Sequence, residues 1–144
     1  MAIHTLDQWW YGTESEDIRA YLEALSKRSY AVHQFRLARC GCGSVEFAVE
    51  VDDPAGVARR TCKGCGRQHF ICDSGEFWDE ADPKVWKCNC GSTTANVGVG
   101  FSLYDDGEIK WLFVGLRCVQ CGMLGSVAGW KIGYSPSLHL MDRV

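Results

Sequence analysis

Eight of the nine cysteines fall into one pattern that occurs twice. The first set is Cys40-x-Cys42, then nineteen residues, then Cys62-x-x-Cys65; the second is Cys88-x-Cys90, then twenty-seven residues, then Cys118-x-x-Cys121. Four thiolates in two close pairs are the donor set of a tetrahedral metal site, so two sets predict two sites. Each unit is about 40 residues, too short to bury an adequate core alone. A structural Zn²⁺ contributes an apparent binding energy of roughly 10–16 kcal/mol, which in such a unit is folding energy. The pattern thus predicts a chain whose units melt when chelated.

Disulfides are the competing use of these cysteines. Nine is an odd number for a disulfide framework. The opening residues Met1 to Asp7 have no basic region followed by an apolar one. The expectation is a cytoplasmic protein with reduced thiols, and with no long apolar run, no membrane partner.

The surroundings of the cysteines also repeat. Cys40-Gly-Cys42-Gly-Ser44 matches Cys88-Asn-Cys90-Gly-Ser92, and Cys62-Lys-Gly-Cys65-Gly66 matches Cys118-Val-Gln-Cys121-Gly122. A glycine after each second cysteine suits a tight knuckle with positive φ, where backbone N–H groups can point at sulfur. Between the knuckles, Val45 to Val51 alternates with period two, Asp52 to Gly56 turns, and Val57 to Thr61 returns. In the second unit Val97 to Tyr104 runs out, the Asp105-Asp106-Gly107 turn signals a hairpin, and Ile109 to Arg117 comes back. On that returning strand Leu112, Val114 and Leu116 face one side and Trp111, Phe113 and Gly115 the other. A third strand follows each rear knuckle, near His69–Cys72 and near Gly125–Ile132.

Two knuckles joined by a hairpin with a third strand alongside resemble the zinc-ribbon superfamily, over about residues 38–78 and 86–134. The resemblance implies a small, metal-stabilised, mainly β fold. It consists of two tandem three-stranded antiparallel ribbons, preceded by an N-terminal α-helix. The expected organisation is a helix and lead-in strand over 1–38, a first ribbon with a connecting strap over 39–87, and a second ribbon with a C-terminal tail over 88–144. The implied cofactors are two structural Zn²⁺, on Cys40, Cys42, Cys62 and Cys65 and on Cys88, Cys90, Cys118 and Cys121. The one-residue front spacing departs from the usual two, and this also favours zinc over a rubredoxin-like iron.

In the N-terminal region Thr13-x-x-Glu16 reads as a capping box opening a helix to about Lys27. Ile18, Tyr21, Leu22 and Leu25 form its apolar stripe, and the basic Lys27 and Arg28 complement the dipole. Trp9, Trp10 and Tyr11 are expected on a short helix begun at Thr5, and Val32 to Ala38 as a strand. These aromatics pack against the ribbons or anchor a partner.

Cys72, outside the two sets, reads as a small buried core residue. The basic residues beside the first set, including Arg59, Arg60, Lys63 and Arg67, either offset the charge of a four-thiolate site or contact phosphate. Asp52-Asp53 and Asp105-Asp106 read as turn chemistry. The acidic, aromatic segment Asp73 to Pro83 joins the units, either as a strap holding Trp78 and Trp86 or as a binding loop.

Charge is balanced in residues 1–39 and 88–144 and −3 in residues 40–87, without the basic footprint of a nucleic-acid binder. Closed four-sulfur coordination leaves no position for substrate, nothing in the sequence nominates a nucleophile or a general base, and there is no Gly-rich phosphate loop. The expectation is a non-enzymatic, zinc-binding interaction or adaptor module with a protein partner, whose candidate surface includes Trp9, Trp10, Arg59, Arg60 and Trp78. Nucleic-acid binding through Arg59 and Arg60, in a transcription-related role, is one alternative. A thiol–zinc redox sensor is another, since the second set is similar in spacing to the zinc switch of the redox-activated heat-shock chaperone.

Overall fold

The computed structural model describes residues 3–6, 9–26 and 30–144. Among them are ten strands and one α-helix. The strands are β1 (Ile3–Leu6), β2 (Trp9–Gly12), β3 (Gln34–Leu37), β4 (Phe47–Asp52), β5 (Val57–Cys62), β6 (Gln68–Phe70), β7 (Lys84–Val85), β8 (Ala95–Leu103), β9 (Ile109–Cys118) and β10 (Met123–Lys131). The helix is α1 (Asp17–Ser26). The fold is small and mainly β, with one four-cysteine group at the knuckles of each hairpin.

Both hairpins form as their turn residues require. β4 and β5 pair antiparallel from Phe47↔Cys62 to Asp52↔Val57, and Asp52 Oδ1 accepts the Ala55 N–H at 3.2 Å inside the turn. β8 and β9 pair from Ala95↔Cys118 to Leu103↔Ile109, with Gly107 at φ 89° and Asp106 Oδ1 accepting the Glu108 N–H at 2.9 Å. Side-chain acceptors of this kind are why aspartate recurs in turns. Third strands β6 and β10 lie against β5 and β9.

All the strands belong to a single sheet, ordered β1-β2-β10-β9-β8-β4-β5-β6, with β3 also on β8 and β7 also on β4. The edge of β8 is shared: β3 pairs with Gly98 to Phe101, and β4 joins at Phe47↔Ala95. The core is correspondingly continuous. Phe47, Val49 and Ile71 of the first unit pack in one buried cluster with Val97, Phe101, Leu112, Val114 and Leu116 of the second. Burial of a side chain of this size stabilises by about 1.5–3 kcal/mol. Each hairpin therefore gains from the other what its own length cannot supply.

The helix lies on the opposite face of the second unit. Ile18 and Leu22, both fully buried, pack with Leu124, Phe35 and Phe113. They sit over a glycine patch: a Cβ on Gly115 would stand 2.7 Å from Ile18 Cγ2, and one on Gly100 3.3 Å from Leu22 Cδ1. Glycine is thus what lets the helix approach the sheet.

The N-terminal region departs from expectation in three places. The helix starts at Asp17, not after a Thr13–Glu16 capping box. The Asp17 carboxylate reaches back to accept the Thr13 and Glu14 N–H groups at 2.8 and 3.2 Å, holding residues 13–16 in turns. Leu25, placed on the apolar stripe by spacing, is 55% exposed, because the sheet beneath the helix is met by Ile18 and Leu22. Trp9 to Tyr11 form strand rather than helix, as β2 pairs with β1 and, through Tyr11↔Met123 and Trp10↔Leu124, with β10; tertiary pairing overrides local preference. The expected basic last turn at Lys27 and Arg28 lies outside the described residues.

The C-terminal segment does not trail away. Residues 138–142 form a 3₁₀ turn that folds back on the first unit. There the Arg143 carbonyl accepts the Cys72 N–H at 2.8 Å, and the Val144 carbonyl accepts Arg60 Nε at 2.9 Å.

Candidate metal centres

Each front knuckle is built by the same two hydrogen bonds. The Cys40 N–H donates to the Ser44 carbonyl at 2.9 Å and the Gly43 N–H to the Cys40 carbonyl at 2.8 Å; Cys88 with Ser92 and Gly91 with Cys88 repeat this at 2.8 and 2.9 Å. The rear knuckles close through Gly66 N–H to the Cys62 carbonyl and Gly122 N–H to the Cys118 carbonyl, at 2.9 and 2.8 Å. The glycines Gly43, Gly66, Gly91 and Gly122 have φ between 80° and 96°, a conformation costly for residues with a Cβ.

These knuckles bring Cys40, Cys42, Cys62 and Cys65 together, and likewise Cys88, Cys90, Cys118 and Cys121, with all sulfurs of a group within 4.8 Å of one another. Cys40 and Cys65 sulfurs lie 3.5 Å apart, as do those of Cys42 and Cys62; Cys88–Cys121 and Cys90–Cys118 are 3.6 Å apart. A disulfide would require about 2.05 Å. Four sulfurs around an ion at a bond length of about 2.3 Å form a tetrahedron with edges of about 3.8 Å. The donor set and its spacing therefore fit a metal ion in each group. Within each group the residues alternate, Cys40, Cys62, Cys88 and Cys118 being buried and Cys42, Cys65, Cys90 and Cys121 exposed.

The surrounding backbone favours thiolate. The Gly64 and Cys65 N–H groups point at Cys62 Sγ at 3.3 and 3.4 Å. Burial pushes the Cys62 thiol up, but those N–H groups and the neighbouring thiols outweigh it and bring the pKa to about 6. Cys118 follows the same logic: burial raises it, the Cys121 and Gln120 N–H groups oppose, and the result is about 7. The donors are the residues inside each rear pair, not the glycine after it. Gly64 is close-set, since a Cβ there would stand 3.2 Å from Ser44 Cβ.

The cations beside the cysteines are largely committed within the fold. Arg60 is buried, its guanidinium 4.6 Å from the Phe47 ring centre and facing the charges of Cys40 and Cys62. Arg59 donates to Glu50 Oε1 through Nε at 3.0 Å and Nη2 at 2.6 Å, and lies 4.5 Å from the Trp78 ring centre. Arg117 ties the N-terminal segment down, donating to the Gly12 and Thr13 carbonyls at 2.9 and 3.0 Å and to Asn96 Oδ1 at 3.1 Å. Arg39, Lys63, Arg67 and Lys87 are exposed.

Trp9 and Trp10 are 42% and 38% exposed on β2, Trp10 edge-on to Tyr21. Arg59, Arg60 and Trp78 lie at the far end of the sheet order, on or against β5. The fold does not gather these five residues into one surface.

Cys72 sits just beyond β6 with its thiol buried and donating to the Leu140 carbonyl at 3.4 Å; burial and Asp73 both push its pKa up. Its φ of 56° is unusual for a residue with a side chain. The strap holds both units: Trp86 packs on the shared core, and Trp78 covers Arg59. Asp73 was not singled out by the sequence. It is buried, accepting the Trp130 indole N–H at 3.1 Å and the Tyr134 hydroxyl at 2.8 Å. An aspartate beside a cysteine carries no local signal of this role.

Comparison with protein-family models, curated proteins and solved structures found no match. No helix among the described residues is long and apolar enough to cross a membrane.

Proposed function

We propose that this chain is a non-enzymatic tandem zinc-ribbon protein, each four-cysteine group holding one structural Zn²⁺, and that the scaffold serves as a protein-interaction module. The carrying observation is the convergence of eight sulfurs into two groups on matching knuckles, each with all its sulfurs within 4.8 Å. Zinc, when bound, cross-links the knuckles and offsets thiolate charge. Four sulfurs complete a tetrahedron, so the role is structural, and the one-residue front spacing favours zinc over iron.

The interaction reading draws support from exposed aromatics and from the internal commitment of Arg59 and Arg60, which weakens the phosphate-binding alternative. A redox role has one observation in its favour: one cysteine of every pair is an exposed residue. Capture from source cells on the immobilised, metal-loaded chain separates these readings. A stoichiometric protein retained after nuclease treatment is expected. Capture abolished by nuclease would replace this reading with nucleic-acid binding, and release of metal by mild peroxide with recovery on reduction would replace it with redox sensing.

A further inference from the structure

Four exposed aromatic rings lie along the seam between the two units. Phe70 and Phe77 come from the first, Tyr104 and Tyr134 from the second, and each is 39–45% exposed. They line three adjoining hollows of about 430, 260 and 250 Å³, and Tyr134 borders all three. Tyr134 is fixed in place by its hydrogen bond to the buried Asp73. The held Tyr134 ring thus stands in the walls of all three hollows. A helix needs a continuous apolar trough, whereas an extended peptide places successive side chains into separate hollows.

One end is acidic. Asp106 and Glu108 border the 250 Å³ hollow, and no lysine or arginine is among its walls. Lys110, 5.6 Å from the Tyr104 ring centre, is not one of them. Asp106 Oδ1 and Glu108 Oε2 are engaged within the fold, by the Glu108 N–H and by Ser137, and the second carboxylate oxygen of each has no hydrogen-bond partner among the described residues. Elsewhere along the seam acidic and basic groups are mixed: Asp73, Glu76 and Arg143 line the 430 Å³ hollow, and Asp73 and Lys131 the 260 Å³ hollow.

Resting on the interaction-module reading, we infer that this seam binds an extended, proline-rich segment of a partner protein. Its pyrrolidine rings pack on Phe70, Phe77 and Tyr134, and a basic residue following them lies beside Asp106 and Glu108. Exposed aromatic rings are the natural surface for such a segment, and a polyproline II chain is already ordered, so little entropy is lost on docking.

The test titrates the isotope-labelled, metal-loaded full chain with a peptide of Pro-Pro-Leu repeats ending in Arg-Arg, and with its Glu-Glu counterpart, following amide shifts. Shifts confined to residues 70–77, 104–108 and 130–135 are expected, with the arginine peptide binding about tenfold tighter, as one favourable charge contact permits. Asp106→Asn, which keeps the acceptor for the Glu108 N–H, narrows that ratio. Phe77→Ala, at an exposed ring, weakens both peptides about tenfold. Absence of shifts at about 1 mM peptide, shifts elsewhere, or equal affinity for the two peptides overturns the inference. The underlying reading fails separately: a partner captured equally by wild type and by the Phe77→Ala/Asp106→Asn variant refutes the seam but leaves the module, whereas no partner captured by wild type refutes the module.

Discussion

Replacing Asp73 by alanine removes the acceptor that Trp130 and Tyr134 share across the junction of the two units. The two donors respond differently. Trp130 is 8% exposed, so its indole N–H is left without water, at a cost of about 1–3 kcal/mol. Tyr134 is 41% exposed and its hydroxyl rehydrates, so the loss there is about 1 kcal/mol. Relief of the desolvation of a buried carboxylate offsets part of this. The net expectation is a destabilisation of about 2–3 kcal/mol, a fall in Tm of roughly 5–10 °C for a chain of this size, read by calorimetry and urea unfolding of the metal-loaded protein. A Trp130→Phe partner change supplies the control. It removes the orphaned donor, so Asp73→Ala and Trp130→Phe together should cost at least about 1 kcal/mol less than their sum. A loss below about 0.5 kcal/mol for Asp73→Ala, or strict additivity, would refute the assignment of Asp73 as the link between the units.

Two further perturbations probe other parts of the fold. Gly115→Ala drives a Cβ to 2.7 Å from Ile18 Cγ2 and should cost about 1–3 kcal/mol in urea unfolding. Gly125→Ala, with nothing within 4 Å, should stay within about 0.5 kcal/mol; equal effects would mean the helix is not seated on that glycine. Burial lowers the His69 pKa, and Arg60 and Arg143 add to this, against the Arg143 carbonyl that raises it. The unfolded chain therefore takes up a proton that the folded one resists, and stability falls as pH drops below about 6.5. His69→Gln should shrink that fall, and the wild-type-minus-variant difference in Tm measured between pH 5.5 and 7.5 checks it; a difference that does not change with pH contradicts the reasoning.

The hairpins and knuckles were legible in the sequence because their determinants are local. Asp52 to Gly56 and Asp105 to Gly107 carry their turn chemistry in adjacent residues, and Gly43, Gly66, Gly91 and Gly122 mark the knuckles at fixed offsets from cysteine. What sequence did not show is set by distant partners. Trp10 is a strand residue because Leu124 pairs with it, and Leu25 is exposed because Ile18 and Leu22 meet the sheet. The Thr13–Glu16 motif lost to Asp17, whose carboxylate takes the Thr13 N–H that Glu16 would have taken, and the Glu14 N–H as well. The union of both hairpins in one sheet turns on the Phe47↔Ala95 pair, and the return of residues 138–144 on Arg60 and Cys72. Neither has a periodic or motif-level signature.

Native mass spectrometry of the purified chain, paired with thermal unfolding before and after chelation, addresses the metal centres most directly. Two zinc ions per chain are expected, with removal of both abolishing cooperative unfolding and zinc restoring it. A metal-free chain that still unfolds cooperatively, or sulfurs joined in disulfides, would contradict the account.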